Sequence, residues 1–423
     1  MRYLAIITML AAMVLSGCGG HPQPYATSLL LSPDLGIPVS ETVIAHRGTF
    51  VAFDQLSQLE KGTPLFCLAN RENTRVAMYT IEFEKSSLNG NDEVFTCRSN
   101  RGNLWGKGFS GSPAITPEGK TLGAYYLTHG DHTELICRSV ESMIRTLSVR
   151  GDLDSNTRSR IPVHQGITWE VRGLKPDAIK YIRTYWHTGE IRPSGANPTR
   201  VAGEVYSPQP GATFGFQTLA GPVVTMTGYA ALTYTKDDST YLACGHEIGG
   251  GGESSVPVIG AVVDRLDLAA GGDKLCHTVG GVIGTVTLDL STGVVVKFGE
   301  APETTPVTVI LHAGGKSQSW THYAARNGGS DLEVNAVRTG LSAVLLNADD
   351  LMGSFTAQGS VTLEIDGIAK PVTAAVTVAQ PVHSVRSLGE AVDARVGEIL
   401  QQARISGKAF TKATLTLSVS NHV

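Results

Sequence analysis

Short apolar runs and two-residue alternation dominate this chain, and they predict strands rather than helices over most of its length. Leu65 to Ala69 is a brief continuous apolar run, Ala77, Tyr79, Ile81 and Phe83 alternate with polar neighbours, and Thr121 to Thr128 reads as a further strand. The stretch from Arg138 to Leu147 predicts a short helix that closes this first block. Residues 148 to 207 are richer in charge and proline. One helix is expected there, beginning at Pro176-Asp177, where proline suits the first helical position, with Ile179, Ile182 and Trp186 on one face. Strands resume near Thr213 and are expected to about Val378. The segments Val223 to Thr225, Ala231 to Thr235, Ala261 to Val263, Val282 to Leu290 and Val294 to Phe298 are rich in β-branched residues and separated by Gly, Asp and Ser clusters. Lys236-Asp237-Asp238-Ser239 reads as a hairpin turn. An amphipathic helix is predicted from Ser387, capped with Glu390, and its stripe of Leu388, Val392, Val396, Ile399 and Ala403 faces a core. Ala413 to Val419 predicts a last strand.

Composition agrees with that pattern. The chain has 423 residues, enough for two domains, and its 48 glycines with only 17% charged residues favour short strands and tight turns over long surface helices. A net charge of −4 gives no footprint for nucleic acid, so no nucleic-acid partner is expected. The start differs from the rest. Met1-Arg2 is followed by an apolar stretch from Tyr3 to Leu15, too short to span a bilayer well, and then by Leu15-Ser16-Gly17-Cys18. This resembles a bacterial lipoprotein signal, which implies removal of the leader, a lipid on the Cys18 thiol and a tether over 19–40. With Gly19 rather than Asp next, the resemblance implies the outer membrane facing the periplasm in a Gram-negative cell.

Export makes disulfides permissible, and five cysteines remain: Cys67, Cys97, Cys137, Cys244 and Cys276. An odd count leaves one unpaired within the chain, and a bridge from Cys244 to Cys276 is expected. Neither Cys244 with His246 nor Cys276 with His277 has the spacing of common zinc sites, so no metal or other cofactor is expected.

Two segments carry candidate chemistry. Gly108-Phe109-Ser110-Gly111-Ser112-Pro113 places a serine between glycines, and Ala243-Cys244-Gly245-His246 supplies an imidazole far downstream. A hydroxyl attacks a carbonyl at neutral pH only when a base takes its proton, and flanking glycines let amide N–H groups point at the oxyanion that forms. The plain alternative is that Gly-Phe-Ser-Gly-Ser-Pro is a tight turn between strands, since these residues dominate turns. The nucleophile elbow of other hydrolases fits poorly, because position 112 is serine rather than glycine and strand–helix alternation is missing.

These segments and their flanks resemble the SpoIVB-type serine peptidases. Gly228, Leu232-Thr233-Tyr234, the polar hairpin and Ala243-Cys244-Gly245-His246 are similar to that family's histidine segment. Gly-Phe-Ser-Gly-Ser-Pro, followed by Gly119-Lys120-Thr121-Leu122-Gly123-Ala124, is similar to its serine segment. The serine segment comes first, as in relatives with permuted order. The resemblance covers roughly 45–147 and 208–312. It implies a mainly β, trypsin-like double β-barrel, permuted in chain order, with a few peripheral helices. The expected serine-bearing part is 41–147, a linking segment 148–207, a histidine-bearing part 208–380, and a helix and strand 381–423.

Carried over residue by residue, Ser110 matches the nucleophile, His246 the general base, and the N–H groups of Gly108 and Ser110 the oxyanion hole. The resemblance asks for a carboxylate behind the imidazole. Asp289 is the choice, at the end of a strand, at an interval from His246 like that of trypsin-like enzymes; Asp264, Asp267 and Asp92 are alternatives. Departures are Cys244 for the usual leucine, Phe109 for methionine, and Gly221-Pro222 where relatives carry Gly-Asp. The expected function is an exported, membrane-anchored serine endopeptidase acting on a protein or peptide substrate. The rival expectation is a non-catalytic protease-like lipoprotein that binds a peptide or envelope component.

Overall fold

The structure is a computed structural model, and it describes residues 49–89, 92–99, 105–129, 133–148, 167–194, 205–405 and 407–422. The expected signal segment with Cys18 and the expected tether lie outside these residues. Strand makes up 54% and helix 17%, so the fold is mainly β.

A short helix, α1 (Phe53–Leu56), precedes six strands: β1 (Pro64–Asn70), β2 (Val76–Asn89), β3 (Asp92–Ser99), β4 (Pro113–Ile115), β5 (Thr121–His129) and β6 (Glu134–Ser139). They pair as a closed barrel in the order β1-β2-β3-β6-β5-β4, and β4 returns to β1 through Cys67 opposite Ala114. Closure explains the dense apolar runs. Inward residues such as Leu65, Ile81, Phe83, Phe95 and Leu135 fill the barrel, and no strand edge is left open. Helix α2 (Val140–Ser148) follows β6.

β7 (Thr168–Arg172), α3 (Pro176–Ile182) and β8 (Glu190–Pro193) form the linking unit. As its sequence predicts, α3 starts on Pro176 and buries Ile179 and Ile182.

The second barrel comprises β9 (Thr213–Ala220), β10 (Thr225–Thr235), β11 (Thr240–Ala243), β12 (Gly252–Asp267), β13 (Asp273–Leu290) and β14 (Gly293–Phe298). They run in the order β9-β12-β13-β14-β11-β10, and an additional β9–β10 pairing closes the ring inside a larger 13-stranded sheet. β7 and β8 extend that sheet beyond β10.

Its other end is the C-terminal unit: β15 (Thr304–Ala313), β16 (Lys316–Ala325), α4 (Asp331–Leu346), β17 (Met352–Ile365), β18 (Val372–Ser384), α5 (Val385–Ala403) and β19 (Phe410–Asn421). The order is β18-β17-β19-β15-β16, and β16 joins β9 where Tyr323 faces Ala220. One apolar cluster runs from Trp169 and Phe216 through Val256 and Val286 to Val337, Val396 and Leu415, so this unit shares its core with the second barrel.

Four expectations change. The second barrel ends at Phe298, not near 380. Helix α4 occupies a region read as strands, because burial of Leu332, Val334, Ala336, Val337, Leu341 and Leu345 on all sides leaves no polar face to betray a helical period. Helix α5 begins at Val385 with Ser384 as its cap, accepting from Ser387 N–H at 3.2 Å, rather than at Ser387. The expected stripe on α5 is buried throughout. Finally, Cys244 and Cys276 form no disulfide: both thiols are free and buried, in different core clusters.

Candidate active site

The serine segment forms the turn that leads into β4. Gly108 and Gly111 have φ of 86° and 95°, left-handed values that L side chains rarely adopt. Phe109 anchors the turn inside the first barrel, edge-on to Trp105 at 5.3 Å. From the second barrel, Asp273 Oδ1 accepts Lys107 N–H at 2.7 Å, and Lys274 N–H donates to Lys107 C=O at 2.9 Å.

The histidine segment is the turn after β11. Cys244 and Gly245 have consecutive left-handed φ values of 70° and 72°, which reverse the chain sharply against β5 of the first barrel. A Cβ on Gly245 would lie 3.0 Å from Ala124 Cβ. The buried Arg138 on β6 fastens this turn by donating to Gly245 C=O at 2.9 Å, to Ser291 C=O, and to Asp92 at 3.1 Å.

One residue of β10 joins the two turns. Ala231 N–H donates to Ser110 C=O at 2.7 Å, and Ala231 C=O accepts Cys244 N–H at 3.2 Å. Thr233 Oγ1 adds a bond of 2.7 Å to Gly111 C=O. The approach is so close that a Cβ on Gly111 would fall 2.0 Å from Ala231 O and 2.5 Å from Cys244 N. The structure thus brings the segments of Ser110 and His246 together at the junction of the barrels. No hydrogen bond joins the two side chains: among the described residues the Ser110 hydroxyl has no partner, nor do the N–H groups of Gly108 and Ser110.

His246 is 2% exposed. Its Nδ1 lies 2.6 Å from the Glu247 carbonyl oxygen, which only accepts, so Nδ1 carries the proton and Nε2 is the free base. Cys244 Sγ is 3.6 Å from Nδ1 and 3.5 Å from Nε2. Near-equal distances place the sulfur over the ring face, because an in-plane approach at those lengths would drive it into ring carbon. Nε2 therefore keeps its in-plane lone pair. Burial pushes the imidazole down to about 4; the Glu247 carbonyl opposes this and the Arg138 charge adds to it.

Asp289 reaches the histidine loop but not the imidazole. Its carboxylate accepts the N–H groups of Ile248, Gly249 and Gly250, each at 2.8 Å, and Asn327 Nδ2 at 2.9 Å. Burial raises its pKa against those four bonds. The geometry gives Asp289 the task of shaping the loop and gives Glu247 C=O the contact expected of the carboxylate. The alternatives lie elsewhere: Asp264 pairs with His277 at 2.7 Å, Asp267 caps a short turn at Ala270, and Asp92 meets Arg138.

Sequence reasoning missed Ala231, Glu247 and Asn327, whose contributions are backbone atoms or a single amide with no motif. It also missed Lys274, a 5% exposed lysine packed under Gly108. The Lys274 Nζ donates to Thr213 Oγ1 at 2.8 Å and lies 4.1 Å from the Phe109 ring centre; burial pushes it down to about 7. Among the described residues no three His, Cys, Asp or Glu side chains could hold a metal, and no helix is long and apolar enough to cross a membrane. No family model, curated protein or solved structure matches the chain.

Proposed function

We propose that this chain is an exported, membrane-anchored serine endopeptidase of SpoIVB type that cleaves a protein substrate through an acyl-enzyme. The observation that carries the reading is the peptide of Ala231, hydrogen-bonded on one side to Ser110 and on the other to Cys244. In the proposed reaction the Ser110 Oγ bonds to the scissile carbonyl carbon while its proton passes to His246 Nε2. The electron pair displaced onto the carbonyl oxygen is received by the N–H groups of Gly108 and Ser110, each worth about 3 kcal/mol in the transition state. Collapse breaks the C–N bond, and His246 returns the proton to the leaving amine. Water then repeats the sequence on the acyl-enzyme and frees Ser110.

Glu247 C=O fixes the tautomer that this role needs, but a carbonyl dipole stabilises an imidazolium less than a carboxylate does, so slow turnover is part of the proposal. Closure of Ser110 onto Nε2 belongs to the substrate-bound state, since catalytic hydrogen bonds often tighten only there. The anchor is a lipid on Cys18; palmitate incorporation that disappears in Cys18→Ala tests it, and undiminished incorporation overturns it.

A fluorophosphonate probe tests the activity. Mass spectrometry should find one adduct, on Ser110, in the wild type, and none in Ser110→Ala or His246→Ala. The buried, weakly basic imidazole and the absence of a carboxylate on it favour a second reading, a protease-like scaffold that binds a peptide or envelope component. Absence of any adduct over a range of pH supports that reading and overturns the first.

A further inference from the structure

β18 is the outermost strand of the 13-stranded sheet, and among the described residues it pairs with β17 alone. An open edge presents a row of N–H and C=O groups ready to pair, and proteins usually protect such edges with lysine, proline or a bulge. From Val372 to Gln380 this strand has no such device; Pro371 stands just before that stretch, and Pro381 and a register shift beyond Val378 end it. Val-Thr-Ala-Ala-Val-Thr-Val-Ala-Gln contains no charge, proline or glycine, and its register on β17 runs unbroken from Val372 opposite Leu363 to Val378 opposite Ala357. The side chains alternate: Val376 is buried and Ala374 and Val378 are half-buried, while Thr373, Ala375, Thr377 and Ala379 are exposed.

We propose that this edge is a homodimer interface in which β18 of two copies pair antiparallel about a two-fold axis through Val376. The strand is complementary to its own image. About that axis Ala374 meets Val378 and Val376 meets itself, so the buried row continues across the interface. On the other face Thr373 meets Ala379 and Ala375 meets Thr377, small residues that leave room for close pairing. Without charges, nothing repels the copy.

Large apolar side chains exposed near the strand ends point to the same occupant. Met352, paired with Ser384 at one end, is 76% exposed, and Ile368, just before the other end, is 41% exposed. A strand from an unrelated protein has no reason to match both features.

Sedimentation equilibrium of the full chain across a concentration series tests the proposal, and it does not depend on the catalytic reading. The wild type should reach twice the chain mass. The double variant Ala375→Lys and Thr377→Lys places four lysines face to face in a dimer from exposed positions. It should sediment at the chain mass with unchanged circular dichroism and melting temperature. A wild type at the chain mass throughout overturns the proposal, as does a double variant that remains dimeric.

Discussion

Asn327 Nδ2 donates to the Asp289 carboxylate at 2.9 Å, and through that bond the C-terminal unit grips the loop that carries His246. The same asparagine donates its backbone N–H to Glu333 near the start of α4 at 2.6 Å. A Cβ on Gly251 would fall 2.0 Å from Asn327 O, so the loop and the C-terminal unit are packed backbone to backbone. The histidine is therefore positioned from two sides, by Arg138 of the first barrel and by the Asp289–Asn327 pair. Replacing Asp289 by Asn puts an amide N–H₂ among amide N–H donors and should cost about 1–3 kcal/mol. Asn327→Ala removes one bond and should cost less. Urea denaturation gives the order, and faster hydrogen exchange at Ile248, Gly249 and Gly250 locates the effect.

Gly111 is the tightest point between the serine and histidine turns. Gly111→Ala adds a methyl that collides with Ala231 O and strains a φ of 95°. It should destabilise by about 2–4 kcal/mol and abolish probe labelling of Ser110. A variant that labels at the wild-type rate would show that the turns are not held in this register.

The buried histidines contribute to the acid response. His246 and His322 are both pushed down to about 4 by burial, and among the described residues neither ring nitrogen of His322 has a hydrogen-bond partner. As pH falls from about 6.5 toward 4, the unfolded chain binds protons that the folded chain refuses, so stability is lost by up to about 3 kcal/mol per histidine. Glu333, raised to about 7 by burial, works in the opposite sense, since its contribution is present at low pH and is lost as pH rises through 7. His322→Phe should halve the histidine part of the acid loss, read as the change in urea midpoint between pH 7 and pH 4. The labelling rate should keep its neutral-pH value to well below 6 and fall by half near pH 4, where His246 takes its proton.

Much of this was legible in the sequence and some of it was not, for identifiable reasons. Ser110 and His246 stand in glycine-rich turns whose spacing to neighbouring strands is a local signal, and α3 and the stripe of α5 follow from periodicity and a proline. Helix α4 was hidden because it is buried all round, although Ser330 at its cap and Glu333 three residues later were a visible start signal. The contact behind the imidazole was hidden for a different reason. It is a main-chain oxygen, and no side-chain pattern announces which carbonyl a turn will aim at a ring.

Lys274 is a buried charged group. Among the described residues its ammonium meets one oxygen acceptor, Thr213 Oγ1, and the Phe109 face. Because burial lowers its pKa to about 7, the unfolded chain holds a proton between about pH 7 and 10.5 that the folded chain has lost, and stability climbs with pH in that window by up to about 4 kcal/mol. Lys274→Met should be more stable than the wild type at pH 7 and should lose that climb, as measured by urea denaturation at pH 7 and pH 10.

In the proposed reaction the Ser110 hydroxyl and the His246 imidazole act on one carbonyl at the junction of the barrels. The most direct measurement is a crystal structure of the protein treated with a fluorophosphonate. Phosphorus should be bonded to Ser110 Oγ, with its oxygen within hydrogen-bond distance of the Gly108 and Ser110 N–H groups and His246 Nε2 facing the adduct. An unmodified Ser110, or an adduct turned away from both the amides and the imidazole, would contradict it.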